Sequence, residues 1–161
     1  MIKLLARLFG GRQPEISEAG AGDAAAIASL HSASFHRGWS EHELESLLLD
    51  RSVIAHRAIS GRKLVGFILS RIAADEAEIL SVAVALSRRS RGLARQLLDL
   101  HLRRLAGLGT KSVFLEVDPD NVPARRLYQR AAFQEVGNRP GYYPQASKAA
   151  SPALVLRRDL S

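Results

Sequence analysis

With 161 residues, 47% of them apolar and 24% charged, the chain has material for one domain with one sizeable core and too little for two ordinary ones. It has no cysteine, which excludes disulfides, thiolate metal ligands and a cysteine nucleophile, and suits a reducing cytoplasm. The 23 Lys and Arg against 16 Asp and Glu give a formal charge of +7; that attracts anions in general and by itself selects no partner.

Residues 1–14 read as a basic N-terminal arm ahead of a single domain over 15–161. "MIKLLARLFGGR" alternates basic residues with Leu4, Leu5, Leu8 and Phe9 and contains no acid. That pattern suits either a membrane-surface or targeting segment or a frayed arm, and it lacks the small-residue cleavage site of a secretory signal. No apolar run approaches the roughly 20 residues a membrane span needs. Asp23 can cap a helix whose apolar positions are Ile27, Leu30 and His31 or Ser34. In "WSEHELESLLL" Ser40 and Glu43 form a capping box, with Trp39 and Leu44 spaced as a hydrophobic staple.

"SVIAHRAI" and "RKLVGFILSRI" predict a hairpin across Ser60-Gly61, and "AEILSVAVAL" (77–86) a buried strand. Residues 92–106 predict a helix with an apolar face of Leu93, Leu97, Leu98, Leu102 and Leu105, ended by Gly107 and Gly109. "KSVFLEVD" is a strand. Asn121 caps a helix carrying Pro123 in its first turn and Ala124, Leu127, Tyr128 and Ala131 as its stripe. "FQEVG" and "PALVLRR" are late strands, and "PQASKAAS" between them reads as a surface loop. Two helices, a strand meander and then β-α-β-α-β-β predict an α/β sandwich with a mixed sheet.

The joint at "SRRSRGLARQLL" (87–98) places Arg88, Arg89, Arg91 and Arg95 around the start of a helix. A helix N-terminus offers unpaired N–H groups and a positive dipole end to phosphate. Gly92 lets a ligand approach the backbone, and Ala94 is too small to block it. A charged turn before an amphipathic helix fits the same residues. No G-x-x-x-x-G-K-[ST] or G-x-G-x-x-G is present.

"RSRGLA" (89–94) resembles the Q/R-x-x-G-x-G/A signature of the GNAT N-acetyltransferases. "FLEVDPDNVPARRLYQRAAFQEVG" and "RPGYYP" resemble the branch of that superfamily that acetylates the N-terminal alanine of a ribosomal protein. The likeness covers most of residues 30–145. It implies a GNAT fold: a mixed, mostly antiparallel sheet flanked by helices, with acetyl-CoA bound between splayed central strands. The implied activity is a cytoplasmic, acetyl-CoA-dependent transfer of acetyl to a protein α-amine.

The implied cofactor-binding residues are Val82, Ala83 and Val84 on the strand, Arg89, Ser90, Arg91, Gly92, Leu93, Ala94 and Arg95 in the loop, and Asn121. Trp39, Tyr142 and Tyr143 are implied in acceptor binding. Glu116 is implied as the base and Tyr128 as the acid for the departing thiolate. Two positions depart from the family pattern. Ala94 stands at a second glycine, and Ala132 replaces the glycine usual before Phe133.

Read without the resemblance, Glu116 alternates with Val113, Leu115 and Val117, so it is either a salt-bridged carboxylate or a base. Within the resemblance, Glu78 on the earlier strand is the rival base, since some acetyltransferases place theirs there. Tyr128 has the spacing of a core tyrosine, and Asn121 that of an N-cap. The five histidines show no H-E-x-x-H spacing and no G-x-S-x-G occurs, which argues against a metal site and a serine hydrolase. The alternatives are a lysine or small-amine acetyltransferase, and a non-catalytic acyl-CoA-binding or ribosome-associated module. Aromatic content of 6% gives thin support for nucleic-acid binding as the main role.

Overall fold

A computed structural model describes residues 13–35, 37–140 and 152–160. Its centre is one seven-stranded sheet in the order β1-β2-β3-β4-β5-β7-β6. The strands are β1 (Glu15–Glu18), β2 (Val53–Ser60), β3 (Lys63–Ala73), β4 (Glu76–Val84), β5 (Ser112–Val117), β6 (Gln134–Arg139) and β7 (Ala153–Asp159). The helices are α1 (Ala24–Ser34), α2 (Glu41–Leu49), α3 (Leu93–Gly107) and α4 (Val122–Arg130). All neighbouring strands are antiparallel except β4 and β5, which run parallel as the α3 crossover requires.

The expected hairpin is present: Ser60 pairs with Lys63 and the turn between them uses Gly61 at φ +63°. The strand β1 was not anticipated, because "EISE" carries only one apolar residue. It pairs antiparallel with β2, from Glu15 opposite Ile59 to Glu18 opposite His56.

Two apolar clusters occupy the two faces of the sheet. Ala24, Ile27 and Leu44 from α1 and α2 pack on Val53, Ala55, Phe67, Leu69 and Ala83. On the other face Leu93, Leu97, Leu98, Leu102 and Leu105 of α3 pack with Ile68, Ile79, Val113, Leu115, Val117, Leu156 and the α4 residue Tyr128. The leucine stripe read in the sequence is thus the buried face of α3. Gly66 lets that helix sit close, since a Cβ there would meet Leu97 Cδ1 at 3.0 Å.

Local signals set the helix ends. Glu43 N–H donates to Ser40 Oγ at 3.1 Å and Ser40 N–H to Glu43 Oε2 at 3.3 Å, the expected capping box. Asp23 differs from expectation. It stands before α1, but its carboxylate turns back to accept from Gly20 N–H at 2.9 Å and to ion-pair with Arg57 of β2. Helix α3 closes with Thr110 N–H on Leu105 O and Gly109 N–H on Ala106 O, Gly109 taking φ +92°. Helix α4 closes the same way, Phe133 N–H on Tyr128 O and Ala132 N–H on Gln129 O. There, however, the left-handed position is an alanine, Ala132 at φ +66°.

A polar chain crosses the α3 core. His56 Nδ1 lies 2.7 Å from His101 Nδ1, and His101 Nε2 lies 2.7 Å from Ser70 Oγ. All three residues are buried, so each ring shares a proton with its neighbour while both stay neutral. Burial first, then the neighbouring His56, pushes His101 down to about 3, and burial also lowers His56. Below pH 6.5 the unfolded chain takes up protons that the folded protein refuses. Stability contributed by these groups is therefore present above 6.5 and lost as pH falls toward 3, by at most about 1.4 kcal/mol per pH unit for each. His101→Gln, which keeps polar atoms but does not titrate, is expected to lower the melting temperature at pH 7. It should also flatten the further fall between pH 6.5 and 4, as read by thermal unfolding across that range.

Candidate active site

The site begins where the parallel pair β4–β5 stops. Pairing covers only Glu76–Ser112, Ala77–Val113 and Glu78–Phe114. Past Phe114 the strands part, and one edge of β4 has no ladder partner. Ala85 N–H bonds Val65 O of β3 at 2.8 Å, and two residues back Ala83 pairs with Phe67 of the same strand. Successive residues alternate, so the amides of Val82 and Val84 face the gap. Of the three strand residues expected at the cofactor, these two present backbone groups to the gap. Ala83 is tied to β3 and buries its methyl on the α1–α2 face.

The opening leads to the arginine loop. After a 3₁₀ turn at Leu86–Arg88, Ser90 takes φ +63° and Gly92 φ +80°, directly before α3. Gln96 N–H is bonded to Gly92 O at 3.0 Å, so the Leu93, Ala94 and Arg95 amides precede the helical ladder, and no side chain caps them. Left-handed residues at 90 and 92 are the kind of backbone in which successive N–H groups can form an anion nest. The arginines divide the work. Arg89 Nε donates to Val84 O at 3.1 Å, which ties the loop to the free edge of β4. Arg88 donates to Ser60 Oγ at 2.7 Å, and Arg95 pairs with Asp99 at 2.9 Å. Leu93 sends its side chain into the core, so its contribution here is its amide.

The two candidate catalytic side chains stand on opposite faces of the sheet. Val113, Leu115 and Val117 are buried on the α3–α4 face, where Tyr128 joins them and meets Phe133 edge-to-face at 5.6 Å. Burial pushes the Tyr128 phenol up to about 12, so it remains a proton donor throughout the physiological range. Glu116 alternates with those residues and lies on the other face, half-exposed. Arg139 of β6 reaches it across β7, with Nε 3.2 Å from both Oε1 and Oε2. Glu78 is exposed and belongs to the last pair, opposite Phe114, before the strands part. Asn121 caps α4, its Oδ1 accepting from Ala124 N–H at 3.2 Å, which leaves its amide NH₂ for other partners.

Glu116 lines an open groove of about 550 Å³ with Phe35, Arg37, Val117, Asp118, Arg139, Pro152 and Ala153. Phe35, Arg37, Asp118 and Arg139 were not anticipated. The first two lie in a loop without periodicity, and the others gain meaning only when β6 and β7 are placed beside β5. Trp39, expected at the acceptor, stacks on His31 at 4.6 Å, donates its backbone N–H to His31 Nδ1 and packs against the α1–α2 core. It does not line the groove and stands one layer behind Phe35, whose ring also meets His31, at 4.5 Å. Tyr142 and Tyr143 lie outside the described residues. Among the described residues no group of three or more His, Asp and Glu is placed to hold a metal ion, and no helix is long and apolar enough to cross a membrane.

A mixed sheet split between two parallel strands, with an uncapped helix start at the split, is the architecture of an acyl-transferring enzyme. The chain belongs to the Acetyltransferase (GNAT) family, whose pattern matches residues 24–133. It is 29% identical over 123 residues to the [ribosomal protein bS18]-alanine N-acetyltransferase of Escherichia coli K12, covering 76% of this chain and 82% of that one. To the enzyme of the same description from Haemophilus influenzae it is 30% identical over 100 residues, 62% of this chain and 68% of the other. The crystal structure of the E. coli ribosomal-protein-S18-alanine N-acetyltransferase superposes with a TM-score of 0.82 at 25% identity, over 92% of this chain and 94% of that one.

The loop geometry yields a test. A Cβ at Gly92 would meet no atom within 4 Å, but φ +80° disfavours any side chain. Gly92→Val is therefore expected to leave the fold intact, distort the nest and weaken binding of free CoA at least tenfold, about 1.4 kcal/mol, by titration calorimetry. Unchanged affinity would remove the loop from the phosphate site.

Proposed function

We propose that this acetyltransferase carries acetyl from acetyl-CoA to the N-terminal α-amine of a protein, an alanine of a ribosomal protein in the first instance. The observation that carries the reading is that Glu116, on β5 beyond the last β4–β5 pair, and Tyr128, in the core of the other face, lie on opposite faces of the sheet. An acyl group held in the split has a carboxylate on the side from which an amine can enter and a phenol on the side to which a thiolate can leave. The names of the relatives support the choice of acceptor.

The residues fit the cofactor. The Ser90–Arg95 amides with Arg89 and Arg91 would hold its phosphates, and the Val82 and Val84 edge its pantetheine arm. Bound there, acetyl-CoA supplies an activated thioester. An N–H of the free β4 edge polarises its carbonyl and stabilises the developing oxyanion. Glu116 accepts the proton that the α-ammonium must lose, directly or through a water. Tyr128 donates its phenolic proton as the C–S bond breaks, and its raised pKa keeps that proton in place until then. Asn121 contributes its amide NH₂ to the cofactor while its oxygen caps α4. An α-amine, with pKa near 8, demands less of the base than a lysine near 10.4.

Tyr128→Phe removes one hydroxyl from a packed site, so the fold and acetyl-CoA affinity should persist while turnover drops by roughly 10²-fold or more. Wild-type turnover would reduce Tyr128 to a packing residue. Glu116→Gln should lose rate chiefly at low pH, where the acceptor is protonated, and recover in part above about pH 8 on a peptide with a free N-terminal alanine. On a lysine peptide with a blocked N-terminus the same recovery would come near pH 10. A loss equal at every pH would make Glu116 a binding group instead of a base.

A further inference from the structure

The Glu116–Arg139 contact has the geometry of a pair built to exchange. A stable arginine–carboxylate fork uses two nitrogens on two oxygens at about 2.8 Å. Here one Nε bisects the carboxylate, at 3.2 Å from each oxygen, and both side chains are close to half-exposed. Exposed pairs of this kind contribute little, so another cation can replace the guanidinium.

The register explains how Arg139 gets there. Glu116 is opposite Val155 and Arg139 is opposite Ala153, two residues along β7 on the same face. The short side chain of Ala153 leaves room for Arg139 to lean diagonally over β7 onto the carboxylate, and Ala153 forms part of the groove floor. Arg139 thus puts a permanent positive charge where an incoming α-ammonium would place its own.

Resting on the assignment of Glu116 as base, we propose that Arg139 is a placeholder for the acceptor's ammonium. It occupies Glu116 in the acceptor-free protein and swings away when a cationic amine enters the groove. It returns once acetylation has turned that amine into a neutral amide, which cannot compete for the carboxylate. The groove therefore selects acceptors that arrive charged, and the return of Arg139 drives product out.

The test is binding, not turnover, so it does not depend on Glu116 acting as a base. In protein loaded with CoA, NMR follows the Arg139 Nε–H resonance, assigned with Arg139→Lys, during titration with a hexapeptide bearing a free N-terminal alanine. The resonance should move toward its position in Glu116→Gln, and the N-acetylated peptide should leave it unmoved. Arg139→Gln should bind the free peptide about two- to fivefold more tightly than wild type, Arg139→Lys should bind as wild type, and the gain should vanish in Glu116→Gln/Arg139→Gln. Equal or weaker binding by Arg139→Gln, a gain that survives loss of Glu116, or an unmoved resonance overturns the proposal. Full turnover in Glu116→Gln would instead unseat the base while leaving these comparisons intact.

Discussion

Everything in this protein turns on where the hydrogen bonding between β4 and β5 ends. Three residue pairs join the strands, and beyond Phe114 they part. A buried strand edge without partners is ordinarily costly, because each N–H and C=O left unmet forfeits about 1–3 kcal/mol. The fold holds the gap open from its sides. Antiparallel pairing with β3 anchors β4, and pairing with β7 anchors β5. Helix α3, seated close to β3 by Gly66, buries six side chains on this face of the sheet. The Arg89 bond to Val84 O meets one of the unpaired carbonyls and fastens the arginine loop to the same edge.

Much of this frame could be read from the residues. The leucine spacing of α3, the Ser40–Glu43 box, the Ser60-Gly61 turn and the alternation around Glu116 are local codes, in which each residue's environment follows from neighbours a few positions away. What stayed hidden was non-local. Four residues of β1 carry no pattern of their own and become a strand only because β2 offers an edge. Asp23 looks like a cap by position, yet its carboxylate answers to Arg57, 34 residues away. Both readings of Glu116, ion-paired carboxylate and candidate base, fit the structure together, and the partner that reconciles them lies two strands over. Its rival Glu78 belongs to the last paired position of the split and does not line the groove, which no composition reveals.

The divided core has its own logic. The face that carries Glu116 is covered by α1 and α2, whose connecting loop supplies Phe35 and Arg37 to the groove. The face that carries Tyr128 is covered by α3 and α4. The groove and the arginine loop are thereby built on different helices, so one can vary without disturbing the other. The His56–His101–Ser70 chain lies wholly in the α3 layer, joining β2 and β3 to the helix whose first turn forms that loop.

Helices α3 and α4 end in the same motif, one on Gly109 and the other on Ala132. An alanine held left-handed gives up about 1–2 kcal/mol relative to its preferred conformations. The turn into β6 therefore goes against the bias of its own residue, and its shape is imposed by Phe133 in the core and by Arg158, whose guanidinium donates to Ala131 O at 2.8 Å. Strand β6 begins immediately after that turn and runs to Arg139. The arginine over the groove thus stands on a strand that begins just after a left-handed alanine, and a looser turn there would give that arm more freedom to wander.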